Sequence, residues 1–161
     1  MITIRIASPD DLDRITALEA VCFPAAEAAP RERFLGRLSS HPNHFLLLFD
    51  EGRLVSCVNG MTTDEADLRD EMFADPSLYD EEGRWLMIFG VATDPGFRCR
   101  GYAGELLVRM IEKARAEGRA GAVLTCKERL IPYYSKFGFR NEGLSGSAHG
   151  GAVWYQMRIC F

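Results

Sequence analysis

Residues 97–104 read Phe-Arg-Cys-Arg-Gly-Tyr-Ala-Gly, two arginines and three small residues placed at the start of a helical pattern. Such a junction attracts anions. The first N–H groups of a helix have no partner inside it and carry the positive end of its dipole, so Gly101, Ala103 and Gly104 would let a phosphate reach the backbone while Arg98 and Arg100 add charge. A pyrophosphate fits this description. The spacing matches neither GxxxxGK[ST] nor GxGxxG, which excludes a nucleoside-triphosphate loop and a dinucleotide fingerprint, but it does match R/Q-x-x-G-x-G/A at Arg98, Gly101 and Ala103. A helix start that binds nothing would also tolerate these residues. Further along, residues 126–139 carry two adjacent phenols, Tyr133 and Tyr134, and a phenol with a pKa of about 10 holds its proton at neutral pH.

The elements that must position these residues are legible from periodicity. Thr3–Ile6 alternate as a strand, and Ser8-Pro9-Asp10-Asp11 supplies the N-cap, first-turn proline and acidic residues of a helix reaching about Ala20. Two prolines interrupt residues 22–30, and Phe34, Leu35 and Leu38 fall at helical spacing in Arg31–Leu38. Phe45–Phe49 and Leu54–Met61 flank a turn at Asp50-Glu51-Gly52-Arg53 and read as a hairpin. Residues 63–84 hold nine carboxylates against two arginines with weak periodicity, which predicts a surface excursion with one helical turn.

Trp85–Thr93 is apolar almost throughout and is expected to be the central strand, covered on both faces. Ala103, Leu106, Leu107, Met110, Ile111 and Ala114 form one helical stripe, ended by Gly118. Ala122–Cys126 then reads as a second buried strand, which makes residues 85–126 a β-α-β unit with parallel strands. A short helix at Arg129–Lys136 and strands starting near Gly138 and spanning Ala152–Ile159 complete the chain.

Composition narrows the class. At 161 residues with 47% hydrophobic and 26% charged residues, the chain is expected to form a single domain, residues 1–161, with room for a core and a small-molecule cleft. A net charge of −4 without a basic stripe argues against a nucleic-acid partner. The longest apolar runs are too short to span a membrane, so no membrane partner is expected. The five cysteines are scattered and match neither a disulfide framework nor a zinc-ligand pattern, which predicts no metal and a reducing, cytoplasmic location.

Taken together, the Arg98–Gly104 loop and the Cys126–Phe139 segment resemble the GCN5-related N-acetyltransferase (GNAT) superfamily, in whose members the first holds acetyl-coenzyme A and the second carries a tyrosine facing the thioester sulfur. Cys126, Leu130, Pro132, Tyr134 and Phe137 further resemble the C-x-x-x-L-x-P-x-Y-x-x-F pattern of the arylalkylamine N-acetyltransferases. The resemblance implies an α/β fold with a mixed, mostly antiparallel central sheet, flanking helices and a β-α-β acetyl-CoA-binding core. It implies acetyl-CoA as co-substrate, bound by Arg98, Cys99, Arg100, Gly101, Tyr102, Ala103 and Gly104 at the pyrophosphate and by the main chain of Val91, Ala92 and Thr93 at the pantetheine arm. Tyr134 then becomes the general acid that protonates the departing thiolate when an amine attacks directly in a ternary complex. A homodimer is compatible with the family.

One departure stands out. The histidine pair that vertebrate arylalkylamine enzymes use to drain protons falls on Met87 and Phe89 here, so that route is absent. Glu27, in the loop expected to cover the acceptor site, is the candidate proton acceptor, with Asp94 a lesser one. His149 sits in a glycine turn, where a lone histidine is ordinarily exposed, and Cys126 reads as a small buried residue rather than a nucleophile. The expected acceptor is a small primary amine, because the proline-rich 22–30 loop suggests a covered pocket. A protein lysine or N-terminal acetyltransferase and a non-catalytic acyl-CoA binding module are the alternatives.

Overall fold

A computed structural model describes residues 1–161. Seven strands form one sheet: β1 (Ile2–Ile6), β2 (Phe45–Asp50), β3 (Arg53–Thr63), β4 (Trp85–Thr93), β5 (Gly121–Cys126), β6 (Arg140–Leu144) and β7 (Tyr155–Cys160), in the order β1-β2-β3-β4-β5-β7-β6. All neighbouring strands are antiparallel except β4 and β5, which run parallel as the β-α-β reading requires. The helices are α1 (Leu12–Cys22), α2 (Arg31–Ser40), α3 (Asp70–Ala74), α4 (Tyr102–Ala116) and α5 (Ile131–Ser135). None is long and apolar enough to cross a membrane.

The two faces of the sheet bury separate sets of side chains, because successive strand residues point to opposite sides. On one face α4 lays Leu106, Leu107, Met110, Ile111 and Ala114 against Leu46, Leu48, Val55, Val58, Leu86, Ile88 and Leu124. On the other, α1 and α2 pack Leu12, Ile15, Leu18, Phe34 and Leu38 against Phe45, Leu47, Phe49 and Cys57. The acidic segment behaves differently from a solvated excursion. It contains the expected helical turn, α3, but Leu68 and Met72 are buried with Met61, Met87 and Val123, and Phe73, Leu78 and Tyr79 pack against them, so apolar residues dispersed among nine carboxylates anchor it over the sheet.

One irregularity shapes the centre of the molecule. Across β3 and β4, Asn59 faces Gly90 while the next residue, Gly60, faces Ile88, so Phe89 is an extra residue bulged out of β4. The pairing of β4 with β5 runs from Trp85 to Ile88 and stops at the same point. A bulge bends its strand. Beyond Ile88 the two parallel strands therefore separate, and the edge of β4 from Phe89 to Thr93 is left without a neighbour on that side. Gly60 permits this arrangement, since a Cβ there would run into the Met87 carbonyl.

Candidate active site

Splaying of β4 from β5 opens a cavity of about 110 Å3, bounded by Phe89, Gly90 and Val91 on one strand and Thr125 and Cys126 on the other. Strand alternation sets the chemistry of its edge. The Asp94 N–H donates to the Val55 carbonyl at 2.8 Å, toward β3, so the peptide groups of Thr93 and Val91 turn the opposite way, into the opening. The Thr93 carbonyl is already engaged by Arg98 Nε and by the Cys22 thiol, each at 3.2 Å, whereas Val91 is free. Ala92 turns toward β3, where its carbonyl accepts from Ser56 Oγ at 2.9 Å. Of the three residues expected on the pantetheine arm, Val91 is thus the one whose main chain is both free and directed into the gap.

The 94–104 segment leads from β4 into the N-terminus of α4. Asp94 caps the turn by accepting from the Gly96 N–H at 2.9 Å and is held by Arg53 at 2.8 Å, which places it outside the cavity. Cys99 and Gly101 both have positive φ, 64° and 79°, and Gly101 is the N-cap of α4. None of the N–H groups from Cys99 to Gly104 donates to a protein acceptor, so several point outward together at the positive end of a fifteen-residue helix. Arg98 is exposed and uses only Nε in the protein, leaving its terminal nitrogens free. Arg100 lies over the Phe97 ring and 3.9 Å from Asp50, which also accepts from the Tyr102 hydroxyl at 3.0 Å. Gly104 lets the residues following α5 approach: a Cβ there would sit 3.1 Å from the Phe137 ring. These residues fit the phosphates of a coenzyme A.

Tyr134 reaches the cavity from α5. Its side chain is 7% exposed, its hydroxyl has no hydrogen-bond partner in the protein, and burial beside Cys126 and Tyr133 pushes its pKa far above that of a free phenol. It holds its proton at every physiological pH. Tyr133 turns away, edge-on to Phe137. Cys126 is buried, contacts the Met157 sulfur at 3.6 Å, and is pushed up to about 11 by burial, so it stays a thiol.

Two loops cover the opening. Glu27 lies in the first, largely buried, and pairs with Lys127 at 2.9 Å. His149 lies in the second, where its Nε2 meets the Glu27 carbonyl at 2.8 Å and its ring stacks on Phe73. Far from being an exposed loop residue, His149 lines the cavity, and Trp154 fixes it by donating to its carbonyl at 2.8 Å. Gly150 is required at this seam, because a Cβ would collide with Glu27 and Ala26.

Among the lining residues that sequence reasoning did not single out are the polar Glu19, Arg33, Arg37 and Asn59 and the aromatic Phe73. Arg37 is 4% exposed, donates to Asn59 Oδ1 and to the Phe73 carbonyl at 3.0 Å each, and lies over the Phe34 and Phe89 rings. Burial lowers its pKa to about 10, still charged at neutral pH. Glu19 accepts from the Ala29 N–H at 2.9 Å, and burial raises its pKa. A signal for both was present, since Arg37 shares the helical face of Phe34 and Leu38, and Glu19 that of Ile15 and Leu18.

A sheet with one parallel pair that splays over a helix-capped anion loop is an acyl-coenzyme A binding architecture. Residues 12–139 match the Acetyltransferase (GNAT) family, and the chain belongs to it. It is 30% identical over 124 residues to serotonin N-acetyltransferase of Mesocricetus auratus, a match covering 71% of this chain and 58% of the length of that enzyme. Its fold is similar to the loading GNATL domain of CurA from Lyngbya majuscula (TM-score 0.86, 16% identity, 99% and 98% of the two chains). It is likewise similar to the GphF GNAT-like decarboxylase solved in complex with isobutyryl-CoA (TM-score 0.80, 23% identity, 98% of each chain).

Proposed function

We propose that this chain, acting as one domain over residues 1–161 in the reducing cytoplasm, transfers acetyl from acetyl-CoA to the primary amine of a small molecule. The observation that carries the reading is the placement of a neutral, unpartnered Tyr134 hydroxyl at the end of the β4–β5 gap, with an anion loop at the outer end of the same gap. In this mechanism the phosphates rest on the N–H groups of residues 99–104 and on Arg98. The pantetheine arm pairs with Val91 in the open edge of β4, as a strand would. The amine nitrogen attacks the thioester carbonyl, the tetrahedral intermediate collapses with cleavage of the C–S bond, and Tyr134 gives its proton to the leaving sulfur. Glu27, paired with Lys127 at the cavity wall, receives the proton lost by the amine. The 22–30 and 145–154 loops exclude bulk water and favour a small acceptor over a protein segment.

The test is acetyl-CoA consumption with mass detection of the acetylated product, over arylalkylamines, polyamines, amino acids and lysine peptides. A small amine turned over in preference to peptides is the expected result. Coenzyme binding without turnover of any acceptor would sink the reading.

A second reading is favoured by one observation, the pair Arg33 and Arg37 in the cavity wall, together with the likeness to a GNAT-like decarboxylase. Here an acyl-CoA bearing a carboxylate β to the thioester carbonyl loses carbon dioxide. The C–C bond electrons pass into a thioester enolate, which takes a proton at carbon. Release of carbon dioxide from malonyl-CoA without an amine present distinguishes it.

A further inference from the structure

A second cavity, of about 270 Å3, lies between α2 and α3, lined by Glu32, Arg33, Gly36, Arg37, His41 and the 72–76 segment. Arg33, Arg37 and Phe73 line both cavities, so they form the wall between them. Three buried polar atoms have no partner in the protein: Arg37 Nε, in this wall, and both ring nitrogens of His41, which lines the second cavity only. They are the protein's only fully buried side-chain nitrogen or oxygen atoms in that condition, and they belong to two residues one helical turn apart.

The charge balance at the wall is also incomplete. Arg37 is buried, remains cationic at neutral pH, and has only neutral hydrogen-bond acceptors, a side-chain amide and a backbone carbonyl. Glu19, a partly buried carboxylate lining the same cavity, is not within ion-pair distance of it and is occupied by the Ala29 N–H. Arg33 adds a second guanidinium to the same wall. A buried cation without a contacting anion is costly, and groups of this kind in a cavity mark where a ligand supplies the missing charge. A guanidinium with a free Nε offers a planar, forked donor that matches a carboxylate.

We propose that Arg37 and Arg33 bind a carboxylate of the substrate, so that the pocket at the end of the β4–β5 gap recognises a carboxylate-bearing molecule rather than a plain alkylamine. His41 lines the second cavity on the other side of this wall and is neutral there. The carboxylate has two sources under the functions proposed above: the acceptor, which is then an amino acid, or the acyl group, which is then a β-carboxyacyl thioester. The inference rests on those readings for its location only, because it is tested by binding.

Two matched pairs of probes separate the sources. Calorimetry in the presence of coenzyme A compares phenylalanine with phenethylamine, and calorimetry on the free protein compares malonyl-CoA with acetyl-CoA. In at least one pair the carboxylate-bearing member binds about tenfold tighter, and Arg33→Gln and Arg37→Lys each remove most of that advantage. A preference in the first pair assigns the carboxylate to the acceptor, and one in the second to the acyl group. Equal affinity within both pairs overturns the proposal, as does a preference that survives both substitutions, since water then fills the wall. Circular dichroism checks that Arg37→Lys folds, and the half-exposed Arg33 provides the variant that leaves the core intact. Turnover of phenethylamine without any carboxylate preference would overturn this inference and leave the transferase reading standing. Carboxylate binding without turnover would do the reverse.

Discussion

Tyr134 stands where the proposed chemistry needs an acid, and its environment decides which form it takes. Burial disfavours the phenolate, so the hydroxyl stays protonated well past the pH at which a free tyrosine ionises, and Cys126, pushed up to about 11, likewise remains neutral. Replacing Tyr134 by Phe removes one oxygen that has no protein partner and keeps the ring packed against Tyr133 and Phe139. The variant is therefore expected to fold as wild type, to keep KM for acetyl-CoA within about twofold, and to lose roughly 10²-fold or more in kcat, the lower range for a positioned general acid. Steady-state kinetics on the best acceptor decides this, and an unchanged kcat removes Tyr134 from the mechanism. Residues of this kind were legible because each sits in a contiguous motif: Arg98 and Gly101 in one, Tyr134 in the other. Glu19, Arg37, Asn59 and Phe73 come from four different elements, and no local spacing announces that they meet. Only the placement of Arg37 and Glu19 on otherwise apolar helical faces hinted that something buried would be polar.

At the scale of elements, the site depends on a strand that stops pairing. The bulge at Phe89 turns β4 away from β5, and Gly60 makes the bulge possible by having no side chain where the Met87 carbonyl passes. Gly60→Ala is expected to force the two strands apart locally and to cost about 1–3 kcal/mol, the range for overpacking a well-filled interior. Its diagnostic effect lies elsewhere. Because the bulge sets the width of the gap, coenzyme A affinity should fall in this variant by more than in Leu38→Val, a comparable core change remote from the gap, measured by calorimetry at matched fraction folded. Equal affinities would show that the splay does not depend on the bulge. All seven strands and the β-α-β core could be read from alternation and apolar runs, since strand identity is a local property. The bulge could not, because it is a difference in register between two strands and exists only once they pair. The same holds for the anchoring of the 63–84 segment: its helical turn was legible, but the burial of Leu68 and Met72 is hidden in a stretch that charge alone would assign to solvent.

For the whole molecule, the buried imidazoles predict how stability responds to acid. His41 is 1% exposed, packs with its ring tilted against Tyr79, and is lowered to about 4 by burial and by the nearby charges of Arg37 and His44. His44 is also lowered, chiefly by burial and by Lys113, with Glu81 opposing. In the unfolded chain both would titrate near 6.5, so between pH 6.5 and about 4 the unfolded state binds more protons, and stability falls as pH falls through that window. For His41 the shift corresponds to at most about 3 kcal/mol. Glu19 acts with the opposite sign, because its raised pKa lets the native state take up a proton first as pH falls. Asp11, held by Arg5 at 2.7 Å and lowered by it, contributes stability that is present above pH 3.8 and lost only as pH drops through its folded value, below the histidine window. Thermal unfolding from pH 7 to pH 4.5 should therefore show a loss in Tm of roughly 5–10 °C for a chain of this size. In His41→Phe, which keeps an aromatic ring against Tyr79 and removes the titrating group, the loss should be visibly shallower. Parallel curves for the two proteins would mean that His41 takes up its proton at the same pH folded as unfolded, so that burial does not hold it neutral.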